Sequence, residues 1–139
     1  MSSDTWQLDR PAAEAALSSL LSAKCVCLPT HQNVDADGIS SALAILEGIR
    51  RKGGNGFVLI SDGKLPRYLN FLPGSDSVVI YGKDELPEFD MLCLVDCSDQ
   101  RRLGKFYADD PQRIDGNTPI VNIDHHVTNP NYGVVNIVE

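Results

Sequence analysis

A chain of 139 residues, 42% apolar and 22% charged, is long enough for one domain with a real core. Its net charge of -7 excludes the broad basic surface that grips duplex DNA without sequence preference. No apolar run reaches the roughly 18 residues a membrane span needs, and the amino terminus lacks the pattern of a secretory signal, so a cytoplasmic protein without membrane contact is expected.

Asp9 is placed to cap a first helix, with Pro11 in its first turn and apolar residues at helical spacing over residues 12–21. Residues 25–28 predict a short buried strand. Residues 38–51 put Ile39, Ala42, Leu43, Leu46 and Ile49 on one face of a second helix, which ends at Gly53-Gly54. Residues 57–60 read as a strand, 66–72 as a short helix closed by Pro73-Gly74, and 78–81 as another strand. Met91 to Val95 is apolar throughout, as a parallel strand covered on both faces requires. Residues 103–108 predict a turn or two of helix, residues 120–123 a further buried strand, and residues 132–138 a last one. Strands alternating with helices predict an α/β domain, a mostly parallel sheet with helices on both faces. Cys25, Cys27, Cys93 and Cys97 lie in or beside apolar runs without the paired spacing of a zinc site, so reduced core residues are expected.

The polar residues follow the strands. Asp35 and Asp37 come after the first, Asp96 and Asp99 after Met91 to Val95, and Asp124, His125 and His126 after residues 120–123. Ligands of open α/β sheets bind outside the carboxyl ends of the strands, so three strands deliver acids and imidazoles to one edge. Gathered carboxylates repel one another unless cations are present. Two divalent ions, typically ~3.5–4 Å apart, would meet that need, clamp a phosphoryl group and acidify a water toward ~7. Asp96 is the carboxylate placed to bridge them. Taken singly, Asp35 and Asp37 could be helix caps, His31 a structural histidine, and Asp96 or Asp99 a turn residue.

The stretches His31-Gln-Asn-Val-Asp35-Ala-Asp37-Gly, Val95-Asp96-Cys-Ser-Asp99 with Arg102-Leu103-Gly104, and Asn122-Ile-Asp124-His125-His126 with Thr128-Asn129 resemble the first three motifs of the DHH phosphoesterase superfamily. They look most like the branch that degrades short oligoribonucleotides and dephosphorylates 3'-phosphoadenosine 5'-phosphate. Asp-Ala-Asp-Gly-Ile-Ser-Ser is also similar to the RecJ-type single-strand exonucleases. The resemblance implies one metal held by His31, Asp35 and Asp96 and a second held by Asp37, Asp96 and His125. It also implies His126 on the substrate phosphate and Asp124 orienting the imidazoles. Asp96, His126 and Asp124 are then the catalytic set. The implied ion is Mn2+, with Mg2+ or another divalent ion equally compatible with this spacing. Arg101 and Arg102 could meet a substrate phosphate, with Arg102 the candidate carried forward, although solvent-facing positions explain both.

Two departures accompany the resemblance. Val34 stands where the branch usually has Pro, and the sequence reaches Glu139 before the family's fourth motif and its smaller C-terminal substrate-binding domain. Residues 1–139 are therefore expected to be a DHH domain incomplete at its C-terminus. The expected function is metal-dependent hydrolysis of phosphate esters in short single-stranded RNA or small nucleotides, with a homodimer left open. A catalytically weak metal- or nucleotide-binding module is the alternative outside enzymes. Asp35-x-Asp37-Gly also resembles the nucleophile motif of haloacid dehalogenase phosphatases, but Pro29 to Val34 intervene after the strand and His31 is left without a role.

Overall fold

The computed structural model describes residues 9–139. Helix α1, Arg10–Ser22, starts where the Asp9 carboxylate accepts the Ala12 N–H at 3.1 Å. It leads into β1, Val26–Pro29. Helix α2, Ala36–Arg51, then precedes β2, Gly56–Ile60, and β3, Val79–Ile80. β4, Met91–Val95, is followed by the short α3, Lys105–Asp109, then β5, Ile120–Asp124, and β6, Val135–Val138. Among the described residues no helix is long and apolar enough to cross a membrane.

All six strands run parallel in the order β3-β2-β1-β4-β5-β6. The chain builds outward from β1 through β2 to β3, returns, and builds the other way from β4 through β5 to β6. Right-handed crossovers in opposite directions place their helices on opposite faces. Accordingly, α2 packs Ile39, Ala42, Leu46 and Ile49 against Val26, Leu28, Val58 and Ile60, with Ala16 and Leu20 of α1 on the same side. Leu103, Phe106 and Ile114 cover Cys27, Leu59, Leu92 and Leu94 on the other side. Odd and even strand positions thus feed two separate apolar layers, which is why β1, β2 and β4 are buried at every residue. Each fully buried Leu or Ile in those layers contributes about 1.5–3 kcal/mol relative to exposure.

Three sequence expectations shift. The short helix expected over residues 66–72 is narrower and of the 3-10 type. Between Pro66 and the Pro73-Gly74 pair the chain makes a tight 3-10 turn, Arg67–Leu69, and a second, Ser75–Ser77, follows Gly74, the bonds of both closing over three residues. α2 begins at Ala36 rather than at 38, because Asp35 caps it by accepting the Gly38 N–H at 2.9 Å. Residues 103–108 divide into a 3-10 turn, Gln100–Leu103, and α3, split at Gly104, whose φ of +59° and contact with Asp62 leave no room for a side chain. The cysteines are free, as expected, and burial pushes the Cys93 thiol up to about 12 and Cys97 up to about 11.

Asp90, just before β4, joins the starts of two central strands: its carboxylate oxygens accept the Lys24 and Cys25 N–H groups, each at 3.0 Å. The bond from Cys25, then that from Lys24, hold its carboxyl below the ordinary carboxylate range. A depressed folded-state pKa contributes stability above the unfolded value near ~3.9, and that contribution is lost as pH falls through the folded value. Asp90→Asn is therefore expected to lower the urea midpoint at neutral pH, and the gap to wild type is expected to close below about pH 4.

Candidate metal centre

The sheet reverses its building direction between β1 and β4, and the crevice at the carboxyl ends of those strands is where an open α/β sheet binds ligands. The segments after β1, β4 and β5 meet there. The post-β1 segment is fastened by the Gln32 N–H, which donates to the Arg102 carbonyl at 2.6 Å. Arg-Leu-Gly thus works through three different properties. Arg102 offers its backbone carbonyl, Leu103 enters the core, and Gly104 takes a conformation closed to side chains. The Arg102 guanidinium forms no ion pair or hydrogen bond among the described residues.

His31 is buried, with Nδ1 2.8 Å from the Gln32 carbonyl. A carbonyl only accepts, so Nδ1 is the donor of this ring, and in the neutral tautomer that this bond selects the Nε2 lone pair is left free. That lone pair faces Asp35 Oδ1 at 3.6 Å and Asp96 Oδ2 at 3.5 Å. In that tautomer three acceptors converge, with no lysine or arginine paired to either carboxylate among the described residues. Gly38 makes the approach possible, since a Cβ there would lie 3.3 Å from His31 Nε2 and 3.4 Å from Asp35 Oδ1.

Asp96 is the hub. It is buried, holds a φ of +54°, and donates its N–H to the Ile123 carbonyl at 3.0 Å. A non-glycine residue in this region stores backbone strain of order 1–3 kcal/mol, which clusters at functional sites. One Asp96 oxygen faces His31; the other lies 2.8 Å from His125 Nε2 and 3.8 Å from His126 Nδ1. His125 Nε2 also stands 3.5 Å from Asp37 Oδ2, in the first turn of α2. The hydrogen bond to Asp96 raises the His125 pKa.

Asp124 lies at the end of β5, buried. Its Oδ1 accepts the His125 N–H at 2.8 Å and faces His126 Nδ1 at 2.6 Å, while Oδ2 accepts from Asn129 Nδ2 at 2.8 Å. Burial alone would raise its pKa; the bonds from Asn129, His126 and His125 outweigh that and hold the carboxyl below its ordinary range. The orienting role expected of Asp124 thus falls on the His126 ring and on the His125 backbone. The two imidazoles stack at 4.5 Å between centroids.

Donor atoms of His31, Asp35 and Asp96 lie within 4.8 Å of one another, and so do those of Asp96, Asp124, His125 and His126. Among the described residues no lysine or arginine pairs with Asp35, Asp37, Asp96 or Asp124, whose ion-pair partners are all histidines. Imidazole and carboxylate donors that lack a cation of their own fit divalent metal. Asp99 stands apart: Arg101 Nη2 holds it at 2.7 Å and it caps a 3-10 turn. Asp35 is both a helix cap and a member of the cluster, so the structural and the chemical readings coincide there.

An asparagine network was not anticipated from the sequence. Asn122 of β5 donates to Asn129 at 2.8 Å and to its register partner Asn136 of β6 at 3.0 Å, and Asn129 returns a bond to Asn122 at 3.1 Å. The available signal was a lone Asn in an otherwise apolar strand. Because Asn129 Nδ2 is a donor to the buried Asp124 carboxylate, Asn129→Ala should cost about 1–3 kcal/mol in urea unfolding. It should also loosen His126 without removing any residue of the His31, Asp35 and Asp96 group.

The description DHH family, N-terminal domain, matches residues 25–139. The bifunctional oligoribonuclease and PAP phosphatase NrnA of Thermus thermophilus is 29% identical over 122 residues, covering 82% of this chain and 32% of that protein. An exopolyphosphatase-related protein from Bacteroides fragilis superposes with a TM-score of 0.75 over 91% of this chain and 39% of that one, at 19% identity, and so shares the fold. The chain thus spans about a third of the length of the curated relative it matches. With the family's match running from the first strand through the His125-His126 pair to the last residue, the chain belongs to the DHH family.

Proposed function

We propose that this chain is the catalytic domain of a metal-dependent phosphoesterase that hydrolyses phosphate esters of short oligoribonucleotides or small nucleotides. The observation that carries the proposal is the convergence of His31 Nε2 on Asp35 and Asp96, at 3.6 and 3.5 Å, with no lysine or arginine paired to either acid among the described residues. The ion we favour is Mn2+, one held by His31, Asp35 and Asp96 and one by Asp37, Asp96 and His125, with Mg2+ as the nearest substitute. Divalent cations there would neutralise the carboxylates and acidify an attacking water.

The protein's own contribution is placement. Asp96 reaches both groups because its buried carboxylate turns one oxygen to each, and its strained backbone fixes that pose. His126 is anchored through Nδ1 to Asp124, which leaves Nε2 as the ring atom available to a phosphate oxygen. Asp124 is itself held by Asn129, so the ring's orientation is set by buried groups rather than by solvent. Membership of the family and the likeness to the Thermus thermophilus enzyme support phosphate-ester chemistry. The oligoribonuclease and PAP phosphatase activities named for that relative support the choice of substrate class. The phosphoaspartate alternative has little support, because Thr30 to Val34 separate Asp35 from β1 and its Oδ1 is engaged in capping.

The test is hydrolysis of a short oligoadenylate and of 3'-phosphoadenosine 5'-phosphate with Mn2+, on the protein as its gene encodes it. Asp96→Ala should lower kcat by at least about 100-fold, a loss of the size caused by removing a group that stabilises transition-state charge. Asp99→Ala, which breaks a surface pair with Arg101, should leave most of the activity. Equal losses in the two variants would contradict the assignment. Asp124→Asn should lower metal affinity or activity by about 10- to 100-fold, as loss of a partner that orients metal-site groups does.

A further inference from the structure

The segment from β2 to β3 carries a surface that the metal centre does not use. Within it, the Leu69 N–H donates to the Pro66 carbonyl, Asn70 to Arg67 and Leu72 to Leu69, at 3.0, 3.1 and 3.2 Å, a run of 3-10 bonds. In such a run, side chains three apart eclipse one another. Leu69 and Leu72 form one column and face inward, with Leu69 1% exposed and Leu72 packed on the α2-side core. Tyr68 and Phe71, on the same short segment, stand in solvent, 66% and 78% exposed.

Two exposed cations, Lys64 and Arg67, share the segment. Neither forms an ion pair or a side-chain hydrogen bond among the described residues, whereas nearby Asp62 is engaged by the Lys105 N–H at 3.0 Å. The segment also lies near the metal centre. It leaves β2 beside the residues that lead from β1 to His31, since Thr30 N–H bonds to the Leu59 carbonyl at 2.9 Å. Its far end rests on α2: a Cβ on Gly74 would lie 3.3 Å from Leu43. Leu43 is about 9 Å along the helix axis from Asp37, at 1.5 Å per residue.

We propose that Tyr68 and Phe71 form a stacking platform for the bases of a single-stranded oligonucleotide, with Lys64 and Arg67 meeting its backbone. Exposed aromatic faces beside cations are a means by which proteins hold single strands without reading sequence. In a chain of net charge -7, unpaired cations beside aromatic rings mark a place where an anionic strand is accepted. The inference rests on the phosphoesterase reading of the neighbouring centre and assigns the part of the substrate beyond the cleaved phosphate.

The test is fluorescence anisotropy with a labelled short oligoadenylate and an abasic oligomer of equal length. It is run in EDTA so that hydrolysis plays no part, and oligoadenylate turnover with Mn2+ is measured separately. Tyr68→Ala and Phe71→Ala should each weaken oligoadenylate binding by about 5- to 150-fold while Tyr68→Phe retains it, and the abasic oligomer should bind as poorly to wild type. Lys64→Gln and Arg67→Gln should each reduce the salt dependence of binding by about one unit of slope. Because the rings are exposed, the alanine variants are expected to fold, which circular dichroism checks. Unchanged affinity in both alanine variants overturns the platform even if turnover is intact. Lost affinity with no turnover by any form keeps the platform and removes the phosphoesterase reading instead. A wild-type dimer that both alanine variants convert to monomer, with RNA affinity unchanged, assigns the face to a second copy and also overturns the proposal.

Discussion

Asp96 follows the fourth strand in a left-handed backbone conformation, buried, with a histidine on each of its carboxylate oxygens. Much of the surrounding structure serves to hold that carboxylate where it faces three imidazoles, beside further acids, with no lysine or arginine paired to them among the described residues. Unbalanced charge of this kind is costly in a protein interior and persists only where a cation or a reaction repays it. The parallel sheet supplies the location, because reversing the direction of building between β1 and β4 opens a crevice at their carboxyl ends.

Around that carboxylate the fold acts through backbone as much as through side chains. The Gln32 N–H to the Arg102 carbonyl binds the His31 segment to the turn after β4, and the Asp96 N–H to the Ile123 carbonyl binds β4 to β5. Asp35 caps α2 and at the same time turns toward His31, so the helix N-terminus and the acid cluster are one construction. The asparagine network behind β5 carries the same logic outward: Asn122 holds Asn129, Asn129 holds Asp124, Asp124 holds the His126 ring, and Asn136 ties the network to β6. A chain of fully bonded buried polar groups sets ring orientation more firmly than exposed contacts could.

Much of this was legible from residue order alone. Continuous apolar runs such as Met91 to Val95 announced buried parallel strands, and acids directly after them announced the edge at which they gather. The residues grouped by motif, His31, Asp35, Asp37, Asp96, Asp124, His125 and His126, do come together in space. What stayed hidden depends on long-range pairing or on backbone. Strand order follows from crossovers that no local pattern records, and the strain at Asp96 belongs to φ rather than to residue type. The use of Arg102 through its carbonyl is invisible to any argument from side-chain charge. The short helix expected over residues 66–72 is a 3-10 turn confined to Arg67–Leu69, a distinction hidden because apolar residues three apart suit both helix types.

The central claim is that three acceptors facing one another across the β1–β4 crevice are a cation site, and calorimetric titration with Mn2+ tests it most directly. The account predicts saturable binding to the chain, abolished in His31→Ala and in Asp96→Ala alike, because one ring lone pair and one carboxylate face the same point from different strands. Absence of Mn2+ and Mg2+ binding, or binding that both variants retain, would contradict it and reduce the cluster to loop acids and a helix cap.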